Sequence, residues 1–221
     1  MAIYLNTYYP INHTEYGRNA CENFNIHPLE DGSIRREPDF THQFPAISGL
    51  CRPGAMNQLN LQPGDIVIYK TNGSHILSAI LNIQQQFDDH QTAAEWFTKN
   101  NLSVPTNNIT VECLPIHQSH ALHFLGMVGR NEKSDRCLTN TWNCDYIRRA
   151  NNSNSSYFFI TEPIYNAVLQ NLVPDNYINI AGVIREYYNR IPNTSWRPAS
   201  LSQQCYDAIL QLIPNENLMI P

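Results

Sequence analysis

The sequence predicts an α+β fold in which strands come first along the chain and helices come last. Residues 3–9, IYLNTYY, are β-branched and aromatic and end at Pro10, which is typical of a strand. Residues 61–87 contain two strand-like runs joined by Asn-Gly. After Tyr165 the apolar residues recur with a helical period. We therefore expect a β core followed by a helical C-terminal region.

The length and composition favour one folded domain. The chain has 221 residues and a mass of 25.4 kDa, with 42% hydrophobic and only 15% charged residues. Such a chain can bury a full core and is not typical of a disordered protein. We expect residues 1–163 to form the β domain, beginning with an irregular N-terminal wrap. Residues 164–221 are expected to form a helical extension packed on the same domain.

The clearest local signal is a β-hairpin followed by a helix. Within residues 61–87 the run GDIVIYK and the run HILSAILNI flank Asn72-Gly73. Asn-Gly is the preferred hairpin connection because both central residues tolerate positive φ. In residues 88–101, DDHQTAAEWFTKNN, Asp88 or Asp89 can cap a short helix. Its apolar face would comprise Ala93, Ala94, Trp96 and Phe97.

The remaining elements follow from shorter patterns. ITVECL and HFLGMVG are candidate strands, TWNCDYIRRANN is a candidate short helix, and SSYFFITE predicts a strand ahead of Pro163. In the tail we expect helices within residues 165–172, 178–191 and 200–213, whose apolar residues match an amphipathic period.

Charge and cysteine usage limit the function classes. The net charge of −5 and the pI near 5.9 provide no overall basic field, so any contact with nucleic acid should be a local pocket. The sequence has no basic and apolar leader and no apolar run of about 18 residues, which predicts a cytoplasmic protein without membrane contact. The six cysteines form no CxxC pair, which fits a reduced compartment.

One proline-punctuated segment, residues 36–55 (REPDFTHQFPAISGLCRPGA), is a candidate binding surface. It gathers charges, aromatic rings and a cysteine without a helical or strand period, and long irregular segments in compact domains are often functional. Arginines are concentrated here and near residue 148; phosphate contact is one interpretation, and pairing with nearby acidic residues is the other. Aromatic rings beside polar groups can hold a nucleobase. The candidate ligand-binding residues are Arg36, Asp39, Phe40, His42, Ser48, Arg52, Tyr69, Trp96, Trp142, Asp145 and Arg148.

The sequence gives little support for a metal site or for a known catalytic motif. His117, His120 and His123 follow Cys113, but their spacing matches neither a zinc knuckle nor a pair on one helix face, so we expect no metal and no cofactor. No GxSxG or HExxH motif is present. One local pair is notable: Lys70 could act as a base for the hydroxyl of Thr71 if burial lowered the pKa of its amine. A solvated strand end is the simpler interpretation.

The order of these segments resembles a known family. FPAISGLCRPGAMNQLNLQPGDIVIYKT, then the hairpin ILSAILNI and FDDHQTAAEWF, is similar to the nucleotide modification associated domains of bacteria and phages. The PGD-strand and hairpin also resemble the wider PUA-like group, which includes the EVE, YTH and ASCH domains. Arg52 and Pro53 match the family's basic-proline step, Gly64 and Asp65 match its turn, and Trp96 matches its helix aromatic. The resemblance covers roughly residues 36–100 and does not extend to the tail after Tyr165.

This resemblance implies a curved, PUA-like β-barrel with flanking helices and a cleft for a nucleobase. The partner would be a modified nucleotide or modified nucleic acid, in phage or bacterial defence. The alternative is a hydrolase of related architecture that acts on a modified nucleoside or nucleotide, with Lys70 and Thr71 as its catalytic residues. A third hypothesis is an interaction protein whose helical tail binds a partner. The sequence does not predict the oligomeric state.

Overall fold

A computed structural model describes residues 1–8, 38, 40, 42–48, 59–104, 157–170, 172, 174–194 and 197–219. The strands are β1 (Ile3–Tyr8), β2 (Ala46–Ser48), β3 (Ile66–Thr71), β4 (Leu77–Phe87), β5 (Phe158–Asn166) and β6 (Ala199–Ser200). The helices are α1 (His90–Lys99), α2 (Ala181–Tyr188) and α3 (Gln203–Leu210), and short 3₁₀ turns cover Pro174–Asn176 and Asn215–Asn217.

The six described strands form one mixed sheet in the order β2-β5-β4-β3-β1-β6. β1 and β3 are parallel, and the other neighbours are antiparallel. The predicted α+β class is confirmed, as are the strand at residues 3–8, the Asn-Gly hairpin and the helix capped by Asp89. Among the described strands the sheet does not close into a barrel, because β2 and β6 are its two edges.

The PGD turn fixes the start of the parallel pair. The buried carboxylate of Asp65 accepts hydrogen bonds from the backbone N–H of Ala2 (2.6 Å) and of Gln62 (2.9 Å). Gly64 has a φ of +90°, a conformation that glycine adopts without strain. The N–H of Ile66 then donates to the carbonyl of Ala2. Asp65 therefore ties Ala2, which precedes β1, to the turn that precedes β3, and these bonds help to set the register of the two strands.

The two faces of the sheet are covered differently. We call the side under α2 and α3 the helical face; Ile3 and Leu5 of β1 and Ile66 and Ile68 of β3 pack there. Because side chains alternate along a strand, the intervening residues point to the opposite side, the aromatic face. The cluster on the aromatic face contains Tyr8, Phe40, Ile47, Leu61, Val67, Tyr69, Ala79, Leu81, Ile83 and Phe159.

The described C-terminal segments contribute to the core on the helical face. Ile180 and Ile184 of the α2 region and Cys205 and Ile209 of α3 are buried against β1 and β3. Ser202 caps α3, since its hydroxyl accepts the N–H of Cys205. At the other end of the sheet, α1 packs through Ala93, Ala94 and Phe97 against Phe87, Phe158 and Ile160.

Two details of the sequence prediction are wrong. Residues 165–172 do not begin the helical tail, because Tyr165 and Asn166 finish β5 and a turn follows. β5 also continues through Pro163 rather than ending before it. β2 pairs only with Phe158–Ile160, so no described strand lies beside Pro163 on that side, and the register with β4 shifts at Ile80/Leu81. Proline is tolerated at such interrupted positions of a sheet.

Some predicted elements lie outside the described residues. These are the strands ITVECL and HFLGMVG and the helix TWNCDYIRRANN, all within residues 105–156. In the part of the chain that the structure describes, no helix is both long enough and apolar enough to cross a bilayer.

Candidate ligand pocket

A pocket of about 510 Å³ opens at the carboxyl ends of the parallel strands β1 and β3. Thr7 and Lys70 are the penultimate residues of these strands, and they are paired in the parallel register. Both lie on the helical face, two residues beyond Leu5 and Ile68. The lining residues are Thr7, Lys70, Asn72, His75, Arg185, Asn189, Arg190, Ile191, Pro192, Asn193 and Thr194.

The floor of the pocket consists of Thr7, Lys70 and Thr194, which are 3%, 2% and 1% exposed. The ammonium of Lys70 donates to the Thr7 hydroxyl at an Nζ–Oγ1 distance of 3.0 Å, and the Thr7 and Thr194 hydroxyls share a hydrogen bond. An ammonium has three N–H donors, and Thr7 is its one recorded acceptor in the described chain. No described carboxylate pairs with it. Burial without a counter-charge lowers the pKa of Lys70.

The β3–β4 turn and the start of α2 are bonded to each other, which fixes the helix over the pocket. The Ile180 N–H donates to the His75 carbonyl at 3.2 Å, and the Leu77 N–H donates to the Ile178 carbonyl at 2.8 Å. The side chain of Asn179 donates to the carbonyl of Ser74 and accepts the N–H of Ala181, the first residue of α2. The hairpin that carries Lys70 therefore also positions α2.

The rim of the pocket comes from the C-terminal half of α2 and the residues after it. Arg185 and Asn189 are four residues apart, so they lie on the same side of α2. Asn189 ends the helix with a φ of 57°, a left-handed conformation that asparagine tolerates, and the chain then returns through Arg190 to Thr194 on the floor. The hydrogen bond between the Thr194 and Thr7 hydroxyls anchors this return segment to β1.

The pocket is electropositive. Lys70, Arg185 and Arg190 are all basic, and no aspartate or glutamate is among the lining residues in the described part of the chain. Neither arginine forms an ion pair in the described part of the chain. His75 has its pKa lowered by burial and by the positive charges of Lys70 and Arg185, which favours a neutral imidazole. Its Nδ1 atom is buried and has no hydrogen-bond partner among the described residues.

This donor set suits an anion better than a metal ion. Guanidinium, ammonium and hydroxyl groups donate hydrogen bonds to phosphate or carboxylate oxygens. Metal ions prefer carboxylate, imidazole or thiolate ligands. In the residues that the structure describes, no group of three or more His, Cys, Asp and Glu side chains is placed to hold a metal.

The candidate residues of the sequence prediction are distributed over several places. Phe40 and Tyr69 are buried in the aromatic face, with ring centroids 5.6 Å apart. His42 bonds through its ring to the backbone of Phe44 and to Ser103. The half-buried ring of Trp96 packs against Phe44, Phe87 and Phe97. Ser48 is the last residue of the edge strand β2. None of these five residues lines the pocket.

Lys70 and Thr71, the expected catalytic pair, are separated by the sheet alternation. Lys70 lies on the pocket floor, whereas the Thr71 hydroxyl bonds to the Ser74 hydroxyl (2.7 Å) and accepts the Ile76 N–H (2.9 Å) in the hairpin turn. The hydroxyl beside Lys70 belongs to Thr7, 63 positions earlier in the chain. The other candidates, Arg36, Asp39, Arg52, Trp142, Asp145 and Arg148, lie outside the described residues.

The sequence interpretation missed Thr7, His75, Arg185, Arg190 and Thr194. One signal was present: Lys70 continues the apolar stripe Ile66, Ile68, and Thr7 continues the stripe Ile3, Leu5. A polar residue at the end of a row of buried apolar residues indicates that the core ends there and that a cavity can begin. No family model matches this sequence, and neither a curated protein nor a solved structure is significantly similar to it.

Proposed function

We propose that the protein binds a nucleotide in the pocket over Lys70. The pocket volume of about 510 Å³ lies within the usual range for a site that encloses one small ligand. The basic residues offer contacts for phosphate, and the amides of Asn72 and Asn189 offer donors and acceptors for a base or sugar. The resemblance to nucleotide modification associated domains, within the PUA-like group, favours a modified nucleobase and a role in cytoplasmic phage or bacterial defence.

The observation that carries this proposal is the isolation of Lys70. A buried ammonium without a counter-charge is costly, because water is lost and no Coulombic attraction replaces it. Lys70 is 2% exposed, and its one recorded partner in the described chain is the neutral hydroxyl of Thr7. A ligand anion would supply the missing charge and accept the remaining N–H groups. The side chain of Lys70 is thus placed to bind an anionic ligand, since the described part of the chain provides no anion for it.

The Lys70→Met variant tests this proposal. Methionine keeps an unbranched side chain and removes the charge, so we expect nucleotide affinity to fall at least about 100-fold, as for loss of a buried charged hydrogen bond. Titration calorimetry would use nucleoside 5′-monophosphates with ordinary and modified bases. Lys99→Met, at the exposed end of α1, is the matched control and should bind like the unmodified protein. Equal affinity in both variants would refute a role for Lys70.

The contact between Lys70 and Thr7 favours hydrolysis as a second candidate function. A lysine whose pKa is lowered can accept a proton from a hydroxyl within hydrogen-bond distance, and 3.0 Å meets this condition. Thr7 Oγ1 would attack an acyl carbon on a modified nucleoside, Lys70 would take the hydroxyl proton and pass it to the leaving amine or alcohol, and water would release the acyl group. In this scheme Thr7 replaces Thr71 as the nucleophile.

Threonine variants distinguish this activity from binding alone. We expect Thr7→Val to lower the hydrolysis rate of N-acyl or O-acyl nucleosides at least about 100-fold, because the nucleophile is removed. Thr7→Ser keeps the hydroxyl and should retain measurable turnover, and Thr71→Val, in the turn, should be nearly unaffected. Product release would be followed by chromatography, with thermal unfolding as a check on folding. Undiminished turnover in Thr7→Val would exclude this hydrolytic mechanism.

A further inference from the structure

The basic groups of the pocket are arranged by depth. Lys70 lies on the buried floor, whereas the side chains of Arg185 and Arg190 belong to exposed residues of the rim. A ligand oxygen that reaches Lys70 must therefore enter the pocket ahead of the rest of the ligand. A phosphate at the end of a molecule can do this. A phosphate inside a polynucleotide would have to bring a nucleoside in from each side, into a pocket of about 510 Å³.

The hydrogen-bond donors also match a terminal phosphate. Such a group has three outward oxygens and carries a charge of about −1.5 to −2 at pH 7. An internal phosphodiester has two free oxygens and a single charge. The pocket offers the Lys70 ammonium from below and two guanidinium groups from above. Guanidinium forks and ammonium groups contact phosphate oxygens in many binding sites. Three cationic groups around one site are better matched by the larger charge.

The charge of the rest of the chain opposes a long polyanion. The whole chain has a net charge of −5, and three of its cations line the pocket, which leaves −8 for the remainder. This overall negative charge would repel a polynucleotide that extends beyond the pocket, which disfavours its association. A free nucleotide confined to the pocket avoids this repulsion.

From these three observations we propose that the pocket selects a terminal phosphate, and that its occupant is a free nucleotide rather than a nucleic-acid strand. This inference rests on the proposed function and narrows it to a substrate class. Lys70 contacts the terminal phosphate, Arg185 and Arg190 close over it, and the base lies toward the asparagine side chains of the rim.

Calorimetry with a graded set of probes tests this selectivity. The probes are inorganic pyrophosphate, the four nucleosides, their 5′-monophosphates, unphosphorylated dinucleotides, and a 5′-phosphorylated decanucleotide. We expect the monophosphates to bind at least tenfold more tightly than the nucleosides and the dinucleotides. The phosphorylated decanucleotide should bind more weakly than a monophosphate at low salt. Arg185→Gln and Arg190→Gln should each weaken monophosphate binding about tenfold, whereas Lys99→Met should not.

The outcomes separate this inference from the proposed function. Pyrophosphate binding that is lost in Lys70→Met, without binding of any nucleotide, would support the terminal-phosphate site and refute nucleotide recognition. Nucleosides or dinucleotides that bind as tightly as monophosphates would overturn the inference and leave the function standing. A decanucleotide that binds more tightly than a monophosphate would assign the site to nucleic-acid ends. Absence of binding by every probe would contradict both proposals.

Discussion

Replacement of Asn166 by alanine is expected to lower the free energy of unfolding by about 3 kcal/mol, because three hydrogen bonds of about 1 kcal/mol each are lost. Asn166 ends β5 and is fully buried. Its Nδ2 donates to the Phe40 carbonyl at 2.8 Å, and its Oδ1 accepts the N–H groups of Val168 and Leu169 at 3.1 and 3.2 Å. The side chain thus joins Phe40 to the sheet and shapes the turn after β5. Urea unfolding would measure the loss.

Asn166→Asp separates the two roles of this side chain. The carboxylate can still accept from Val168 and Leu169, but it cannot donate to the carbonyl of Phe40. Its burial should raise its folded pKa above the unfolded value, so the stability of this variant is highest in acid and is lost as the pH rises through the folded pKa. Asn176→Ala, at an exposed position, should change stability by less than about 0.5 kcal/mol. A similarly small change in Asn166→Ala would show that these bonds contribute little.

The local part of the fold could be predicted because its signals are local. Asn72-Gly73 specifies a turn, Gly73 has a φ of 76°, and the strands on either side pair as expected. Asp89 accepts the N–H of Thr92 and begins α1 where the capping signal lies. These features depend on neighbouring residues. The helical extent after Tyr165 could not be predicted in the same way, because the sheet partner β4 keeps Tyr165 and Asn166 extended.

The candidate site depends on contacts that sequence order hides. Lys70 is predicted as a site residue because a strand-end lysine beside a hydroxyl is chemically suggestive, but the Thr71 hydroxyl bonds to Ser74 within the hairpin turn. Thr7 reaches Lys70 through the parallel pairing of β1 with β3, and Thr194 reaches Thr7 across 187 positions. No turn signal specifies a parallel pair. Arg185 and Arg190 contribute only because the hairpin turn is bonded to the start of α2.

The aromatic residues illustrate a different limit of the sequence interpretation. Phe40 and Tyr69 have the chemistry to stack on a base, but in the structure they pack edge-on against each other, and Phe40 also packs edge-on against Tyr8 in the core. Composition cannot distinguish an aromatic ring that binds a ligand from one that packs on its neighbours in the core. A buried lysine is more informative, because burial of a charge is unfavourable unless a partner compensates it, whereas burial of an aromatic ring is favourable by itself.

Nucleotide affinity is expected to fall as the pH rises through the lowered pKa of Lys70, because phosphate binding needs the protonated form of Lys70. Burial lowers the pKa of Lys70 in the free protein, so its proton is released at a lower pH than from an ordinary lysine, whose pKa is about 10.4. Above that lowered pKa, each pH unit should weaken binding about tenfold, and binding should take up a proton. Of the other groups at the pocket, His75 has its pKa lowered, which holds it toward its neutral form.

Calorimetry in buffers of different ionisation enthalpy, between pH 7.5 and 10, would measure both the affinity and the proton uptake. The second pKa of a phosphomonoester, near 6, lies below this window and does not contribute. Lys70→Arg keeps the charge throughout, so whatever affinity it retains should not depend on pH.

The lowered pKa of Lys70 also determines how the free energy of unfolding of the ligand-free protein changes with pH. Lys70 loses its proton in the folded state before it does so in the unfolded state, so the free energy of unfolding should rise with pH between its lowered pKa and about 10.4. Lys70→Met should lack this rise. Subtracting the pH profile of this variant from that of the unmodified protein cancels the contributions of the buried tyrosines, including Tyr165, whose pKa is raised to about 12. An affinity that stays constant between pH 7.5 and 10 would show that Lys70 titrates as an ordinary lysine, and the case for an isolated buried cation would then fail.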